Sequence, residues 1–340
     1  MKRTGLYCIA LSTSAVGGLG ALLVAGPLDP PAGAVAPTYK TLTEVEPRTA
    51  ISATNTPGDA DSLFRITQPG SYYLTGSIQG VAGKHGIEIA ASDVTIDLNG
   101  FEVVGTTGIG FFSGVTIGPS GLSNITVLNG TVRGWEGDAG VDLFGAFGAS
   151  GLRVQGVLAT GNTNAGIRVA GGAAVVDCTA FQNGGAGITA NNGGTITNCA
   201  VTSNSSHGIS VGTGCLVSAC VARNNSSDGI RCANECVISG NACSSNGVGA
   251  GSGAGVHATG NDNRIEANNC TLADRGVDVD AAGNFIVRNT CSGNTTDWDI
   301  AANNVYGPII DRRAPASPAV TGFTAADATG STHPNANFSY

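Results

Sequence analysis

The sequence contains little charge and few aromatic side chains. Charged residues make up 12% of the 340-residue chain and aromatic residues 5%, and the few Lys and Arg residues are not clustered. A surface that binds nucleic acid or anionic lipid needs clustered basic side chains, whereas the formal net charge is -8, so neither is expected as a partner. An acidic polysaccharide would also be repelled unless a cation bridged it to the protein.

The sequence also lacks the motifs of common cofactor sites. No Cys-x-x-Cys pair occurs, so Cys232, Cys236 and Cys243 are not expected to bind zinc. The glycine-rich stretch 247–255 is not followed by Lys-Ser or Lys-Thr, which a phosphate-binding loop requires. The sequence therefore predicts neither a metal site nor a cofactor.

The N-terminus has the pattern of an export signal. Lys2 and Arg3 precede an apolar run over residues 6–25, and small residues follow at 32–34. This order predicts a signal peptide over residues 1–34, and hence a protein that is secreted, displayed on the cell surface or periplasmic. The alternative is an uncleaved membrane anchor, which Ser, Thr and Gly within the run disfavour. After cleavage, no membrane segment is expected.

A 21-residue repeat runs through the middle of the chain. Three consecutive units begin with Gly-Ile at residues 166, 187 and 208, and each carries a Cys and an Asn in the same phase. Later units begin at Gly229, Gly255 and Gly276, with an inserted glycine-rich loop before Gly255. A fixed period of this kind is typical of stacked repeats, in which no unit can bury its apolar side chains alone.

Three columns of residues indicate how each unit folds. Apolar residues recur at positions equivalent to Val154 and Ala159, and a Val, Cys or Asn recurs between them at positions equivalent to Val157. A spacing of three residues followed by two predicts a strand, a bend and another strand around a narrow core. The sequence therefore predicts an all-β parallel β-helix of about ten coils with about 21 residues each.

The sequence resembles the right-handed parallel β-helix of the pectin-lyase-like superfamily. The resemblance rests on the Gly-Ile starts, the coil period and the Ile-x-x-Asn bends at 238–241, 265–268 and 286–289. The resemblance extends from about residue 64 to residue 310 and implies a right-handed solenoid. It implies no single activity, because that superfamily contains lyases, hydrolases, epimerases, adhesins and non-catalytic proteins. The Asp-Asp and Asn-Thr-Asp motifs of its pectate lyases and polygalacturonases are absent from the sequence.

The repeats divide the chain into four predicted segments. These are the signal peptide, 1–34, an irregular lead-in, 35–65, the β-helix, 66–310, and a C-terminal tail, 311–340. The tail either lies back on the last coils through its final aromatic residues or is a disordered or processed end. Identical Asn side chains one coil apart are expected to form hydrogen-bonded ladders.

Nine cysteines remain if Cys8 is removed with the signal peptide. Six of them fill two inward columns and are predicted to be buried thiols: Cys178, Cys199, Cys220, Cys243, Cys270 and Cys291. Their nearly parallel Cβ directions are poorly suited to disulfide bonds. A bond between Cys215 and Cys236, which lie nearer a turn, stays open as an alternative.

Polar residues recur at positions that point away from the predicted core. Two positions after each opening glycine the chain carries Glu88, Asp142, Arg168, Thr189, Ser210, Arg231, His257 and Asp278. The position before each glycine carries His85, His207, Asp228 and Arg275 among alanines. Both columns are predicted to face solvent. The candidate ligand-binding residues are Arg168, His207, Arg231, His257, Arg275 and Asp278.

The C-terminal part of this patch also contains the candidate catalytic residues Asp228, Arg231, His257 and Asp278. Asp228 and Asp278 are two coils apart, about 10 Å, which is near the upper limit for an inverting glycosidase. Arg231 or His257 would serve as the base of a lyase, with Ca²⁺ as a cofactor only in that case. The simpler interpretation is that outward positions are polar because they are solvated.

The absence of enzyme motifs favours an exported, non-catalytic β-helix that binds a polysaccharide or another cell-envelope component along its outward polar positions. A polysaccharide lyase or glycoside hydrolase of the pectin-lyase-like type is the alternative. A purely structural or adhesive surface rod is the second alternative.

Overall fold

The computed structural model describes residues 46–145, 148–249, 253–311 and 333–340. Residues 48–340 form one compact unit built of strands and turns. No helix in the described ranges has the length and hydrophobicity of a membrane span. The predicted signal peptide and the first part of the lead-in lie outside the described residues, as does most of the C-terminal tail.

Each coil contributes up to three strands, and the first strands of successive coils form one parallel sheet of eleven strands, called here the first sheet. Its strands are Ser62–Ile66, His85–Ile89, Val115–Ile117, Ala139–Leu143, Ala165–Val169, Ile188–Ala190, Ile209–Val211, Ile230–Cys232, Ala254–Ala258, Arg275–Val279 and Thr296–Ile300.

The second and third strands of the coils form a second sheet of 22 strands. The sheet is continuous around a corner because two long strands, Ser123–Arg133 and Ser150–Thr160, run through it. The second strands are Gly70–Tyr73, Val94–Asp97, Ala174–Val176, Thr195–Thr197, Leu216–Ser218, Val237–Ser239, Arg264–Glu266, Phe285–Val287 and Val305–Tyr306. The third strands are Ile78–Gln79, Glu102–Val104, Thr179–Phe181, Ala200–Thr202, Val221–Arg223, Ala242–Ser244, Asn269–Thr271 and Thr290–Ser292. Three terminal strands complete it: Thr49–Ala50, Ile309–Asp311 and Asn337–Ser339.

The chain is therefore a right-handed parallel β-helix of about eleven turns, with strands ~23 residues apart. The predicted fold class is confirmed. The mean period exceeds 21 residues because the N-terminal coils are longer: Ile87 pairs with Val115, and Val115 pairs with Val141. The structure also begins before the predicted boundary at residue 66, since Thr49–Ala50 and Ser62–Ile66 already pair within the two sheets.

The inward columns predicted from the sequence form the core. Val154 pairs with Val175, and the same register continues coil by coil to Ile286, with each of these side chains fully buried. The bend that follows is made by a residue in the left-handed region, such as Asp177 with φ 55° or Asn198 with φ 57°. The left-handed residue turns the chain between the second and third strands, as the spacing predicted.

Buried asparagines form three ladders that run along the β-helix. In the first ladder Asn183 Nδ2 donates to Asn204 Oδ1 at 3.0 Å and to the Ala159 carbonyl at 3.1 Å, while the Asn183 amide donates to the same Asn204 oxygen at 3.1 Å. This pattern satisfies both the side chain and the corner backbone. The ladders are Asn162–Asn183–Asn204–Asn225–Asn246, Asn241–Asn268–Asn289–Asn337 and Asn263–Asn284–Asn304.

The nine described cysteines are free and buried. Cys178, Cys199 and Cys220 occupy the corner that Asn241, Asn268 and Asn289 occupy in later coils, as predicted. Cys215 and Cys236, for which a disulfide stayed open, are two free thiols as well. Their Sγ atoms lie 3.2 Å and 3.0 Å from the carbonyl oxygens of Asn191 and Gly212 in the preceding coil.

The cysteine thiols should react with a labelling reagent only when the protein is unfolded. In native protein we expect an alkylating reagent to modify none of the nine buried thiols during a short exposure, because each is at most 2% exposed. In denaturant without a reductant, mass spectrometry should find all nine modified. Fewer than four modified thiols after unfolding would contradict the buried free thiols and indicate disulfides.

The end of the chain returns to the β-helix. Strand Asn337–Ser339 pairs with Thr290–Ser292 and with Ile309–Asp311, and Asn337 extends the second Asn ladder beyond Asn289. The hydroxyl of the terminal Tyr340 bonds to Asn269 Oδ1 at 3.3 Å. The described end of the tail, 333–340, therefore lies on the last coils.

Candidate functional site

The first sheet carries the outward polar column. In coil order it reads Arg65, Glu88, Thr116, Asp142, Arg168, Thr189, Ser210, Arg231, His257, Asp278 and Asp299. The predicted register is confirmed, but Arg65, Thr116 and Asp299 were missed. The Gly-Val-Thr sequence at 114–116 was an available signal for Thr116. The coil of Asp299 has Asp297 where other coils open with glycine, which hid it.

The column is less exposed than its outward direction suggests. Glu88 and Asp142 are each 8% exposed and Asp278 is 5% exposed. Neighbouring strands are about 4.8 Å apart, so charged side chains on adjacent coils pair with and cover each other. The prediction that this column faces solvent is wrong for these three carboxylates, and outward direction alone does not make a residue available to a ligand.

Arg168 lies apart from the other candidates and is fully engaged. Its guanidinium makes a bidentate pair with Asp142, at 2.9 Å and 2.8 Å, and contacts Asp138 at 2.7 Å. It also stacks on the ring of Phe144, 4.8 Å from the centroid. Because Nε and Nη2 pair with carboxylates and three coils separate it from Arg231, Arg168 is a structural residue of the N-terminal half.

Asp228 is the buried centre of the C-terminal patch. It is 2% exposed, and its Oδ1 accepts the backbone amide of Ala254 at 2.9 Å. Its Oδ2 lies 3.0 Å from His257 Nδ1 and 3.2 Å from His207 Nδ1, the latter without hydrogen-bond alignment. Burial acts to raise the pKa of Asp228, but the two histidines and the Ala254 amide outweigh it and lower the pKa well below its usual range. The carboxylate is therefore ionised and joins the coil after the inserted loop to the coil before it.

His257 bridges Asp228 and two further carboxylates. Its Nε2 lies 3.0 Å from Asp280 Oδ2 and 3.7 Å from Asp278 Oδ2. Burial acts to lower the pKa of His257, but Asp228, Asp280 and Asp278 outweigh it and raise the pKa to about 9. The imidazole is consequently protonated at neutral pH, with both of its nitrogens engaged.

Arg275 joins the last two carboxylates of the column. Its Nη1 lies 3.3 Å from Asp278 Oδ2 and its Nε donates to Asp299 Oδ2 at 2.9 Å. Burial raises the pKa of Asp278, and the charges of His257 and Arg275 offset only part of that effect. The structure thus brings five predicted residues, His207, Asp228, His257, Arg275 and Asp278, into one ion-paired network.

Arg231 is the sixth predicted member, and it differs from the others. It stands between Ser210 and His257 in the column, and its side chain is half-buried. Within the described residues, its guanidinium makes no salt bridge. It is therefore the cation of the patch whose donors are available to a ligand.

A groove near these coils does not coincide with the patch. It has a volume of about 840 Å³ and lies beside the inserted loop, lined by residues such as Ser245, Val248, Leu272 and Asp274. None of the predicted site residues lines it. The chemically distinctive residues lie on the flat face of the first sheet instead, which suits an extended ligand better than a compact one.

Fold and comparison agree on the class of protein: a right-handed parallel β-helix. Residues 75–218 match the family described as "Right handed beta helix region". None of the curated proteins matches the chain.

Solved structures with a similar fold have low sequence identity. The A-module of the Azotobacter vinelandii mannuronan C-5 epimerase AlgE6 has a TM-score of 0.51 and 15% identity, covering 86% of this chain and 88% of that one. The catalytic domain of a GH87 α-1,3-glucanase has a TM-score of 0.48 and 14% identity, with 82% and 61% covered. Pectate lyase Pel9A has a TM-score of 0.41 and 18% identity, with 70% and 64% covered. These likenesses concern the fold.

Proposed function

We propose that this protein is an exported β-helix that binds a neutral polysaccharide of the cell envelope along the first sheet, between Ser210 and Asp299, without cleaving it. The proposal rests on a contrast within the patch. Its buried side chains are paired with one another, whereas side chains at its surface are accessible to a ligand. Asp228 is 2% exposed with both oxygens in contact, whereas Arg231 has no salt bridge within the described residues, and Asp299 is half exposed.

A polysaccharide fits this face in shape and charge. The outward residues repeat every coil, about 4.8 Å, so they offer a regular row of donors and acceptors to an extended chain of sugars. The net charge of -8 disfavours an acidic polymer. A protein of similar fold is by its name a mannuronan epimerase, which supports a polysaccharide as the class of partner.

Binding without cleavage follows from the engagement of the candidate catalytic groups. A glycosidase needs two carboxylates that reach the bond from opposite sides, and Asp228 is too buried to reach a bound sugar. A lyase needs a free base, and both nitrogens of His257 contact carboxylates. The residues resemble a catalytic set in type, but their contacts are those of a scaffold.

The proposal is tested with a panel of neutral and acidic polysaccharides, measured by retention of the protein and by release of reducing ends or unsaturated products. We expect retention on a neutral glycan, no products, and about tenfold weaker binding in Arg231→Ala, since a charge-assisted hydrogen bond contributes on the order of 1.5 kcal/mol. Arg223→Ala is the matched control, because Arg223 lies in the preceding coil and is exposed on the third strand, away from the first sheet.

Each other outcome decides against the proposal. Release of products that is lost in Asp278→Asn would establish the lyase or hydrolase alternative. If no glycan retains the protein, the alternative of a purely structural or adhesive rod would be favoured. Equal weakening by Arg223→Ala and Arg231→Ala would show that binding depends on charge in general and not on the first sheet.

A further inference from the structure

Three atoms of the kind that ligate metals converge on the C-terminal coils. His257 Nε2 and carboxylate oxygens of Asp278 and Asp280 all lie within 4.8 Å of one another. His257 comes from strand Ala254–Ala258, and the two aspartates come from the next coil. Asp278 and Asp280 are two residues apart, so an extended chain directs both side chains to the same face. The backbone geometry of the two coils therefore brings these three side chains together.

The buried carboxylate of Asp278 is paired, but over long distances. It is 5% exposed, and its contacts with Arg275 Nη1 and His257 Nε2 are 3.3 Å and 3.7 Å long. Charge-assisted hydrogen bonds are about 2.7–2.9 Å, so neither contact compensates its desolvation well. Buried charges are ordinarily closely paired or bound to a metal. Asp278 is therefore a carboxylate that a cation in this cluster would stabilise.

His257 is oriented as metal-binding histidines are. Its Nδ1 lies 3.0 Å from Asp228 Oδ2, and Asp228 is itself fixed by the Ala254 amide at 2.9 Å. A carboxylate that holds the proton on one ring nitrogen leaves the other nitrogen facing the ligand, as in carboxylate–histidine–metal arrangements, and a metal ion at Nε2 would displace the proton that Nε2 otherwise shares with Asp280. Asp228 lies outside the cluster of three, so this is a separate observation.

We propose that His257, Asp278 and Asp280 bind a divalent transition-metal ion, with Asp228 as the residue that positions His257. One imidazole and two carboxylates suit Zn²⁺ or Mn²⁺ and would leave coordination positions for water or a sugar hydroxyl. Ca²⁺ fits less well, because it takes six to eight oxygen ligands. Arg275 keeps Asp299 as a partner at 2.9 Å when the metal takes Asp278.

The metal site shares a face with the proposed glycan site but does not rest on it. The absence of a Cys-x-x-Cys pair led the sequence to predict no metal, and cysteines take no part in this cluster. His257 and Asp280 lie on successive coils, 23 residues apart, so no short motif marks the ligands.

The test is titration of Zn²⁺ into metal-stripped full-length protein by calorimetry, without glycan. We expect one site of micromolar or tighter affinity and a rise in Tm with metal. Asp280→Asn should weaken the affinity at least tenfold, and it is the safest variant because the Asp280 side chain is 56% exposed. His257→Gln should weaken it at least a hundredfold. Asp262→Asn is the control, an exposed aspartate with φ 60° that Asn tolerates.

Absence of a binding heat in the folded wild-type protein would overturn the proposal, as would binding that Asp280→Asn and His257→Gln leave unchanged. Circular dichroism of each variant separates loss of the site from loss of the fold. Because glycan is absent, a failure here leaves the glycan proposal standing. Failure of glycan binding likewise leaves the metal result unaffected.

Discussion

Gly208→Ala is expected to lower the free energy of unfolding by about 3 kcal/mol, the upper part of the range for overpacked sites. A Cβ at Gly208 would lie 2.6 Å from the carbonyl oxygen of Gly229, 2.7 Å from Asn225 Nδ2 and 2.8 Å from Val201 Cγ2. Two of these neighbours belong to the backbone ladder and the Asn ladder, so they cannot move aside. The opening glycine is therefore required for space, and its φ lies outside the left-handed region.

Gly76→Ala is the matched control for this variant. A Cβ at Gly76 would meet nothing within 4 Å, so we expect a change within about 0.5 kcal/mol. Unfolding in urea, followed by circular dichroism and by intrinsic fluorescence, measures both variants, and agreement of the two probes tests the two-state assumption that repeat proteins can violate. Equal stability of the two variants would contradict the tight stacking of glycine on Asn.

Asn204→Ala is expected to cost about 3 kcal/mol as well. The Asn204 side chain is 1% exposed and makes four hydrogen bonds: it donates to Ala180 O and Asn225 Oδ1 and accepts from the amide and the side chain of Asn183. Alanine removes these bonds and leaves buried donors and acceptors unpaired, each of which costs about 1–3 kcal/mol. Urea unfolding measures the loss.

Two further variants show that the effect belongs to the ladder. Asn204→Asp keeps the shape and the acceptor oxygen but lacks the Nδ2 donor, so we expect at least as large a loss of stability. Asn191→Ala changes an exposed asparagine of the same repeat that is not part of a ladder, and it should shift stability by less than about 0.5 kcal/mol. A loss in Asn204→Ala no larger than in Asn191→Ala would show that the ladder contributes little.

The fold could be predicted because the repeat period gives the register in which the strands of successive coils pair. Positions 21 residues apart in the central coils, such as Val175 and Ile196, are strand neighbours, so a column in the sequence is a column in space. The exchange of Cys220 for Asn241 at one corner was readable for the same reason. Both side chains are small enough for that corner, where the chain changes once from cysteine to asparagine, between Cys220 and Asn241.

The contacts of the site could not be predicted in the same way. Register placed Asp228 and His257 near each other, but not which oxygen meets which nitrogen or how deeply Asp228 is buried. Asp228 also accepts the amide of Ala254, which follows the inserted loop and is 26 residues away in the sequence. Arg168 was assigned to the ligand set because its column faces outward, while Asp138, which helps to engage it, belongs to a longer N-terminal coil.

The equivalent surroundings of the opening glycines have a consequence for how such a chain can change its length. A Cβ added to Gly166 or to Gly187 would lie 2.7 Å from the carbonyl oxygen of the next opening glycine. It would also lie 2.7 Å from the side-chain nitrogen of a ladder asparagine. A duplication or deletion of one whole repeat would offer every amide, carbonyl and carboxamide at the junction an equivalent partner. Copy number in the central coils is thus open to genetic change at little structural cost, whereas a partial repeat would turn core residues outward.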